Sequence, residues 1–437
     1  CVCTLFVQAQ SIDNYLNSPD SITFEEIGTV SDNLVSPIDL DFHPNRPNEL
    51  WVLNQGNRNS GGSTIIFYDA GLSTQTSEFR KDGNAWHFMA EATSLAFGDN
   101  GDWGTSQGIL DANHDGSLFT GPTLWPGDLS IYAMVGNPPT ATVNGSHLDM
   151  LHQSPYGMGI AHETGNVYWV FDGYNENIVR YDFATPHYPG GFDHDDGALR
   201  RFTEIQVLRD PDVPSHMILD KSRALLYICD TGNDRILRLN IYSGTVKGSL
   251  TPNYGEVLVE YSEMENALFD EVVSTGLSAP SGVDYVDNRL LVMDNETKEI
   301  IIYDVLTVPL TELGRIDISA HATNPMGLKI GPDGQIWYVD YDDRTVVRIN
   351  HPSVNPVDLT SVEELSAEFS FRAFPNPASD FINLDIPESA GTEFNVQLVN
   401  TLGQIEMTTR INTMNPQIQI DNLTSGLYTL ILSNDNV

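Results

Sequence analysis

FDGYNENIVRYD, residues 171–182, contains the pattern that decides the fold. The apolar run VYWVF (167–171) ends at Asp172, a polar turn follows, and the chain continues as the alternating segment 178–182. Two short strands joined by a turn of Gly, Asn or Asp are the signature of a β-hairpin. The aspartate at the end of the first strand is the distinctive feature, and it recurs along the chain.

The same hairpin pattern is found in four other segments. They are LLYICDTGNDRILRLN (225–240), LLVMDNETKEIIIYD (290–304), IWYVDYDDRTVVRIN (336–350) and a looser copy, LWVLNQGNRNSGGSTIIFYD (50–69). In the closest copies the first strand ends at Asp172, Asp230, Asp294 or Asp340. Repetition of one supersecondary unit predicts an architecture built from several similar small sheets.

A second pattern precedes the hairpins, and we call each copy a lead-in segment. It consists of a proline, two small or polar residues and an apolar strand that ends in a turn. Copies begin at Ser36, Ser154, Val213, Ala279 and Asn324, and the segment from Glu91 fits without the proline. Proline fixes φ and lacks an N–H donor, so it suits the beginning of a strand. Six lead-in segments predict six units.

An outer strand would complete each unit. Segments 198–208, 256–263 and 311–319 follow the third, fourth and fifth hairpins, whereas nothing comparable follows Asn350. SITFEEIGTV (21–30) precedes the first unit without a partner of its own. Because circular closure removes open sheet edges, we predict an all-β fold: a six-bladed β-propeller whose N-terminal strand closes the last blade.

The hairpin pattern resembles the NHL repeat. The best examples are GNDRILRLN (232–240) and GYNENIVRYD (173–182), and the resemblance covers residues 20–352. It implies the propeller fold but no single activity, because propellers host many chemistries.

The composition is strongly acidic. The chain of 437 residues has 21 Lys and Arg against 60 Asp and Glu, a formal net charge of −39. Such a surface repels phosphate groups, so we expect neither nucleic acid nor an anionic membrane as a partner. Solubility or adaptation to high salt is one interpretation of the charge, and capture of cations is the other.

The two ends of the chain predict export. CVCTLFVQAQS is typical of the end of a secretory signal peptide, with a small-residue cleavage pattern at Val7-Gln8-Ala9. We therefore predict a signal-peptide remnant at 1–9, the propeller at 10–354, a linker at 355–370 and a further domain at 371–437. No other apolar run is long enough to form a transmembrane segment. The lone Cys229 is predicted to be a core residue.

Alternating strands and turn signals in 371–437 predict a small β-sandwich. This segment resembles the type A sorting domain of the type IX secretion system, through FPNPA (374–378), NTLGQ (400–404), Leu423 and SGLY (425–428). The resemblance implies passage across the outer membrane with the type IX secretion machinery as a partner, followed by release or attachment at the cell surface. The family usually ends with one more strand, so truncation is one alternative for this segment.

Histidines concentrate near the lead-in segments, which would surround one mouth of the propeller channel. His87, His147, His152 and His321 precede such segments, and His216 lies inside one. Imidazoles from separate blades would suit zinc or another divalent transition metal. We predict a metal site from His152, His216 and His321, with His87 as a fourth candidate; local hydrogen bonding within each loop is the alternative.

The propeller pattern is also similar to that of the peptidylglycine amidating lyases. That resemblance implies a histidine-bound metal on the axis, with a catalytic Arg and Tyr. The family's Arg-Gly step corresponds to Asn54-Gln55-Gly56-Asn57-Arg58, where the matching position is not Arg. Arg58 and Tyr156 are predicted to bind a ligand, and no catalytic residue is assigned.

Two insertions offer oxygen ligands. Asp111, Asn113 and Asp115 have the spacing of a calcium loop, although Pro122 stands where an EF-hand has glutamate, and an ordinary Asx turn is the alternative. The second insertion, 187–201, forms a solvated loop or binds a cation through Asp193, His194, Asp195 and Asp196.

These patterns predict a secreted or cell-surface protein. We expect a monomer that binds a small molecule, glycan or peptide at the channel mouth. The alternative is a metal-dependent lyase or hydrolase with a histidine-bound metal on the axis. The sequence contains no G-x-S-x-G, H-E-x-x-H or phosphate-loop motif.

Overall fold

The computed structural model describes most of residues 11–354 and parts of the C-terminal segment. The described residues are 11–46, 48–354, 372–374, 378, 380–385, 393–400, 405–412, 416–424, 426 and 428–433. The chain divides into two compact units between Val357 and Asp358, and each is described by itself. The predicted signal-peptide remnant at 1–9 and the linker at 355–370 lie outside the described residues.

The first strand is β1 (Thr23–Gly28), and the next twelve form the first three blades. Blade one contains β2 (Pro37–Phe42), β3 (Leu50–Asn57), β4 (Gly61–Tyr68) and β5 (Thr76–Arg80). Blade two contains β6 (Ala92–Phe97), β7 (Trp103–Gln107), β8 (Thr123–Trp125) and β9 (Asp149–Met150). Blade three contains β10 (Gly157–Thr164), β11 (Val167–Asp172), β12 (Asn177–Asp182) and β13 (Ala198–Phe202).

The remaining strands of the first unit form blades four to six and one excursion. Blade four contains β14 (Met217–Asp220), β15 (Leu225–Asp230), β16 (Arg235–Asn240) and β19 (Phe269–Val273). Between β16 and β19 the chain makes an excursion that contains β17 (Thr245–Ser249) and β18 (Glu260–Glu265). Blade five contains β20 (Pro280–Val286), β21 (Arg289–Asp294), β22 (Glu299–Asp304) and β23 (Thr311–Asp317). Blade six contains β24 (Pro325–Ile330), β25 (Ile336–Asp340) and β26 (Thr345–Asn350).

The six blades form a closed ring. Each innermost strand contacts that of the next blade, in the order β2, β6, β10, β14, β20, β24 and back to β2. β1 pairs antiparallel with β26, from Thr23 opposite Asn350 to Gly28 opposite Val346, and supplies the outer strand of blade six. The predicted six-bladed propeller, closed by its N-terminal strand, is therefore confirmed.

One predicted outer strand belongs to a different blade. Segment 256–263 overlaps β18, which pairs in parallel with β13 of blade three rather than completing blade four. The outer strand of blade four is β19, which pairs antiparallel with β16. The chain thus leaves blade four after β16, adds the β17–β18 hairpin to the edge of blade three and returns. Parallel pairing between blades leaves no local turn signal in the sequence.

The aspartate that ends the second strand of a blade explains why the hairpin pattern recurs. In blade six the carboxylate of Asp340, which is fully buried, accepts hydrogen bonds from the N–H groups of Thr323 and of Asn324, where the lead-in segment begins, at 2.7 and 2.8 Å. It also accepts one from the N–H of Asp343 in the hairpin turn, at 2.9 Å. One side chain therefore ties the start of the innermost strand to the turn after the second strand.

The two blades that lack this aspartate use an amide oxygen in the same role. In blade one Asn54 accepts hydrogen bonds from the N–H groups of Val35 and Ser36, at 3.0 and 3.1 Å. In blade two Gln107 accepts one from the N–H of Ala90 at 2.9 Å. A buried N–H without an acceptor is costly, and in these two blades the amide oxygen supplies the acceptor at the start of the innermost strand.

Helical segments in the described residues are short. They are α1 (Asn14–Asn17), α2 (Ala85–Phe88) and the 3-10 turns Ser11–Asp13, Pro19–Ser21, Val30–Asp32, Thr231–Asn233 and Asn253–Gly255. Tyr15 of α1 is buried and donates a hydrogen bond to the carbonyl oxygen of Ile349, which fastens the N-terminal segment to blade six. Within the described ranges, no helix has the length and apolar character needed to cross a membrane.

The second unit consists of two three-stranded sheets. They contain β27 (Arg372–Phe374), β28 (Phe381–Asp385), β29 (Glu393–Asn400), β30 (Ile405–Asn412), β31 (Gln417–Gln419) and β32 (Tyr428–Ser433). The strand orders are β27-β28-β31 and β30-β29-β32. Apolar side chains from both sheets form one core: Leu384, Phe394, Val396, Ile411 and Ile418. The predicted β-sandwich is confirmed, although 375–377, 401–404, 425 and 427 of the quoted motifs lie outside the described residues.

We predict that Asp340→Ala destabilises the propeller by about 2 kcal/mol, because three backbone N–H groups that bond to this buried carboxylate lose their acceptor. Asp340→Asn should cost less, since Asn54 fills the same role with an amide oxygen. All six tryptophans lie between residues 51 and 337, so tryptophan fluorescence during denaturation follows this unit. Asp342→Ala, an exposed change in the same turn, is the control. Equal midpoints for Asp340→Ala and Asp342→Ala would contradict this role.

Candidate metal centre

A cavity of about 380 Å³ lies beside the outer strands of blades two and three. Its walls include the aromatic and imidazole side chains of Trp86, His87, Phe119, His147, His152 and His194. His147 and His152 flank β9, the outermost strand of blade two, and His194 lies in the connection between β12 and β13 of blade three. The cavity is thus formed by α2 and by connections of blades two and three, and we call this region the rim.

Three histidines meet at this rim. One ring nitrogen from each of His147, His187 and His194 lies within 4.8 Å of the others. Their ring centroids are 4.9 Å apart for His147 and His187, 4.9 Å for His187 and His194, and 6.0 Å for His147 and His194. Across the residues that the structure describes, this is the one set of three or more His, Cys, Asp or Glu residues spaced for a metal ion.

Each of the three imidazoles is oriented through its Nδ1 atom. His147 Nδ1 contacts the carbonyl oxygen of Asn144 at 3.0 Å, and His187 Nδ1 contacts that of Tyr188 at 2.7 Å. His194 Nδ1 contacts the carboxylate of the buried Asp149 at 2.7 Å. The carbonyl oxygens can only accept, so Nδ1 of His147 and His187 donates and the lone pair resides on Nε2.

Two of those Nε2 atoms have no hydrogen-bond partner. The Nε2 atoms of His147 and His187 are both buried and unpaired. Burial lowers the pKa of both imidazoles, that of His147 to well below its ordinary value. Buried polar atoms are seldom left unpaired without a reason, and a neutral imidazole with a free Nε2 is the form that binds metals.

The donor set fits a transition metal, with zinc the first choice. Zinc binds imidazole nitrogen, and three protein ligands leave a fourth tetrahedral position open for water or another ligand. Ligating histidines typically donate their other ring N–H to a carbonyl or carboxylate, and His147, His187 and His194 all have such a contact. The three-histidine cluster thus has both the ligands and the surrounding hydrogen bonds of a metal site.

His152 lies beside the cluster, with its ring centroid 6.1 Å from that of His194. Its Nδ1 atom contacts the carboxylate of Glu256 at 2.7 Å, and its ring stacks on Phe119 at 3.7 Å. His87 lies 6.2 Å from His152, and its Nδ1 contacts the carbonyl oxygen of Ala112. Burial lowers the pKa of His87 to about 4. Two members of the predicted metal set therefore reach this cavity.

The other two members lie elsewhere. His216 is buried at the innermost strands, where its Nε2 atom lies 3.0 Å from the carbonyl oxygen of Thr93 and its Nδ1 atom lies 3.6 Å from Asp39. His321 is exposed and stacks on Phe24 of β1 at 3.8 Å. Metal binding by the four predicted histidines together stays a prediction.

The two predicted ligand-binding residues are also separated from this cavity. Arg58 is exposed in the turn between β3 and β4. Tyr156 is half-buried directly before β10, and the guanidinium carbon of Arg209 lies 4.0 Å from its ring centroid. Ligand binding by Arg58 and Tyr156 stays a prediction.

The predicted calcium loop is arranged around one carboxylate. Asp111 accepts hydrogen bonds from the N–H groups of Asn113, Asp115, Gly116 and Ser117, at 2.7 to 3.0 Å. These are the bonds of the Asx-turn alternative, and they occupy both Asp111 oxygens that a calcium ion would need. Calcium binding here is untested and stays a prediction.

The sequence contains part of the signal for the rim cluster. His147 precedes a lead-in segment, and His194 lies within the insertion 187–201 together with acidic residues that are candidate ligands. His187 is the member that sequence reasoning missed. The structure brings these imidazoles together because the β8–β9 and β12–β13 connections of adjacent blades meet. No short sequence motif marks this contact, because it joins residues that are far apart in the chain.

Comparison with known proteins identifies the C-terminal unit. Residues 372–437 match the family model described as the secretion system C-terminal sorting domain. The C-terminal segment is a secretion sorting domain. The match indicates export by the type IX secretion machinery, to the cell surface or beyond it. A search of curated proteins found no match to the chain.

Several solved structures resemble the chain at low identity. The soluble aldose sugar dehydrogenase of Escherichia coli has 13% identity and a TM-score of 0.47, with 76% of this chain and 99% of that chain covered. An auxiliary nutrient binding protein of Bacteroides ovatus has 10% identity and a TM-score of 0.46, with 76% of each chain covered. Virginiamycin B lyase of Staphylococcus aureus has 10% identity and a TM-score of 0.43, with coverages of 75% and 99%. These likenesses carry no argument about ligand or activity.

Proposed function

We propose that this protein is an exported propeller that binds zinc at its rim and uses the metal to hold a small-molecule ligand. His147, His187 and His194 are the proposed ligands of the ion. A signal peptide ending at Ala9 would deliver the chain to the periplasm, and the sorting domain would then direct export. The main support for this proposal is the convergence of three imidazoles, each with its Nδ1 atom in contact with an oxygen acceptor. The Nε2 atoms of two of them, His147 and His187, are buried and unpaired.

The surroundings of the metal site support a ligand of modest size. The cavity of about 380 Å³ lies at the small end of the range usual for small-molecule sites. Trp86 and Phe192 line it and are 39% and 57% exposed, so aromatic surface is available for contact with a ligand. A zinc ion with one free ligand position beside exposed aromatic side chains would suit a compact organic molecule better than a folded protein.

We predict one zinc ion per chain after equilibration with zinc and removal of excess, measured by elemental analysis. His194→Gln should lower this stoichiometry toward zero, because two imidazoles hold zinc far less well than three. Zinc should also raise the thermal unfolding midpoint of the unchanged protein, since a ligand of the folded state stabilises it, and should have no such effect in the variant.

His321→Ala is the matched control for that experiment. This histidine is a ligand candidate from the sequence, yet it is exposed and stacks on Phe24. We expect the control variant to retain one zinc ion. Full zinc content in His194→Gln, or none in the unchanged protein, would reject the proposed metal centre.

We further predict that Asp149→Asn weakens zinc binding by about 10-fold to 100-fold without abolishing it. The carboxylate of Asp149 contacts Nδ1 of His194 at 2.7 Å and is fully buried. An amide keeps the shape of the side chain but loses the charge that makes the imidazole a stronger donor to the metal. Competition with a chelator of known affinity measures the change. An unaltered zinc affinity would show that Asp149 does not support His194.

A further inference from the structure

The imidazole of His152 is held in one tautomer by a buried carboxylate. Glu256 accepts hydrogen bonds from the backbone N–H of His152 at 3.0 Å, from its Nδ1 atom at 2.7 Å and from the side-chain amide of Gln153 at 2.6 Å. Burial alone would raise the pKa of Glu256, but these hydrogen bonds outweigh it and lower the pKa. An ionised carboxylate can only accept, so Nδ1 of His152 carries a hydrogen; because burial lowers the pKa of His152, the ring is neutral and Nε2 carries the lone pair.

The excursion from blade four delivers this carboxylate. Glu256 lies between β17 and β18, directly after the turn Asn253–Gly255. Asn253 donates its N–H to the side-chain oxygen of Gln153 at 3.0 Å, and Val259 donates its N–H to the carbonyl oxygen of Gly197 at 2.9 Å. The segment is therefore fixed on both sides of Glu256, and the carboxylate is placed at His152 rather than in solvent.

The acceptor on the other side of the ring has no partner. His152 is 5% exposed, and its Nε2 atom is buried and makes no hydrogen bond. The ring cannot turn freely, because it stacks on Phe119 with an interplanar angle of 10°. A buried acceptor without a donor is costly, and the residue that carries it lines the same cavity as His147 and His194.

We propose that His152 is the residue that selects the ligand, by accepting a hydrogen bond from it next to the metal. This inference rests on the proposed zinc centre. The ligand class is a small molecule with an oxygen or nitrogen donor for the metal and an adjacent N–H or O–H group for His152. Hydroxamates and α-hydroxy acids have this arrangement. A ligand with only a metal-binding group would leave the buried Nε2 unpaired.

The test compares two probes that differ in one N–H group. Acetohydroxamic acid and N-methylacetohydroxamic acid both chelate zinc through two oxygens, but the second has no N–H. We expect the zinc-loaded full-length protein to bind the first about tenfold more tightly, as one buried hydrogen bond implies. In His152→Leu the ratio of the two dissociation constants should fall to about one, with one zinc ion still bound. Isothermal titration calorimetry gives both constants.

A second variant separates hydrogen bonding from size. His152→Gln keeps an acceptor oxygen near the position of Nε2, and we expect it to retain a preference of a few fold for the N–H probe. If His152→Leu binds zinc and keeps the full preference for acetohydroxamic acid, the methyl group of the second probe weakens binding by its size alone. The inference is then wrong. The inference also fails, with the zinc centre intact, if zinc-loaded protein binds neither probe. If the unchanged protein binds no zinc, the proposed function itself fails.

Discussion

A buried hydrogen-bond acceptor at the end of the second strand of each blade is the constraint on which the propeller depends. In blade six, Asp340 joins the lead-in segment to the hairpin turn, and in blade three Asp172 also binds Arg201, which in turn donates to the carbonyl oxygen of Gln153. Without such an acceptor, backbone N–H groups in the loops at this end of the blades would lose their hydrogen-bond partner. Gln153 also donates to Glu256, so the same network that shapes blade three extends to the proposed ligand site.

This constraint makes most of the fold predictable from sequence. The acceptor, the turn and the strands form a local pattern, so the order of residues along the chain is enough to locate the hairpins and the six lead-in segments. Closure by β1 is predictable because blade six has no outer strand after Asn350, while the strand before blade one has no other partner. The assignment of 256–263 to blade four is wrong because β18 pairs in parallel with a strand of another blade, and no turn or spacing marks such a pairing.

The candidate metal centre is less predictable, for a related reason. Histidines near lead-in segments are expected to converge on the axis, yet the cluster forms at the rim from His147, His187 and His194. Long connections between outer strands bring them together, and the sequence says nothing about which connections of neighbouring blades touch. The tautomers depend on backbone carbonyl oxygens, such as that of Asn144, and on Asp149. These partners cannot be recognised until the loops are placed.

Hydrogen bonding explains why the rim, and not the axis, is the better candidate for chemistry. Blades one and four face each other across the ring, so the contact of His216 with Asp39 at 3.6 Å spans the axis. Asp39 also accepts a hydrogen bond from the N–H of Leu95, and Nε2 of His216 pairs with a carbonyl oxygen. These polar groups near the axis are buried and paired with one another, as buried polar groups usually are. At the rim, by contrast, the Nε2 atoms of His147 and His152 are buried, oriented and unpaired. A metal ion or a ligand gains the most binding free energy at an acceptor that the fold holds in place without a partner.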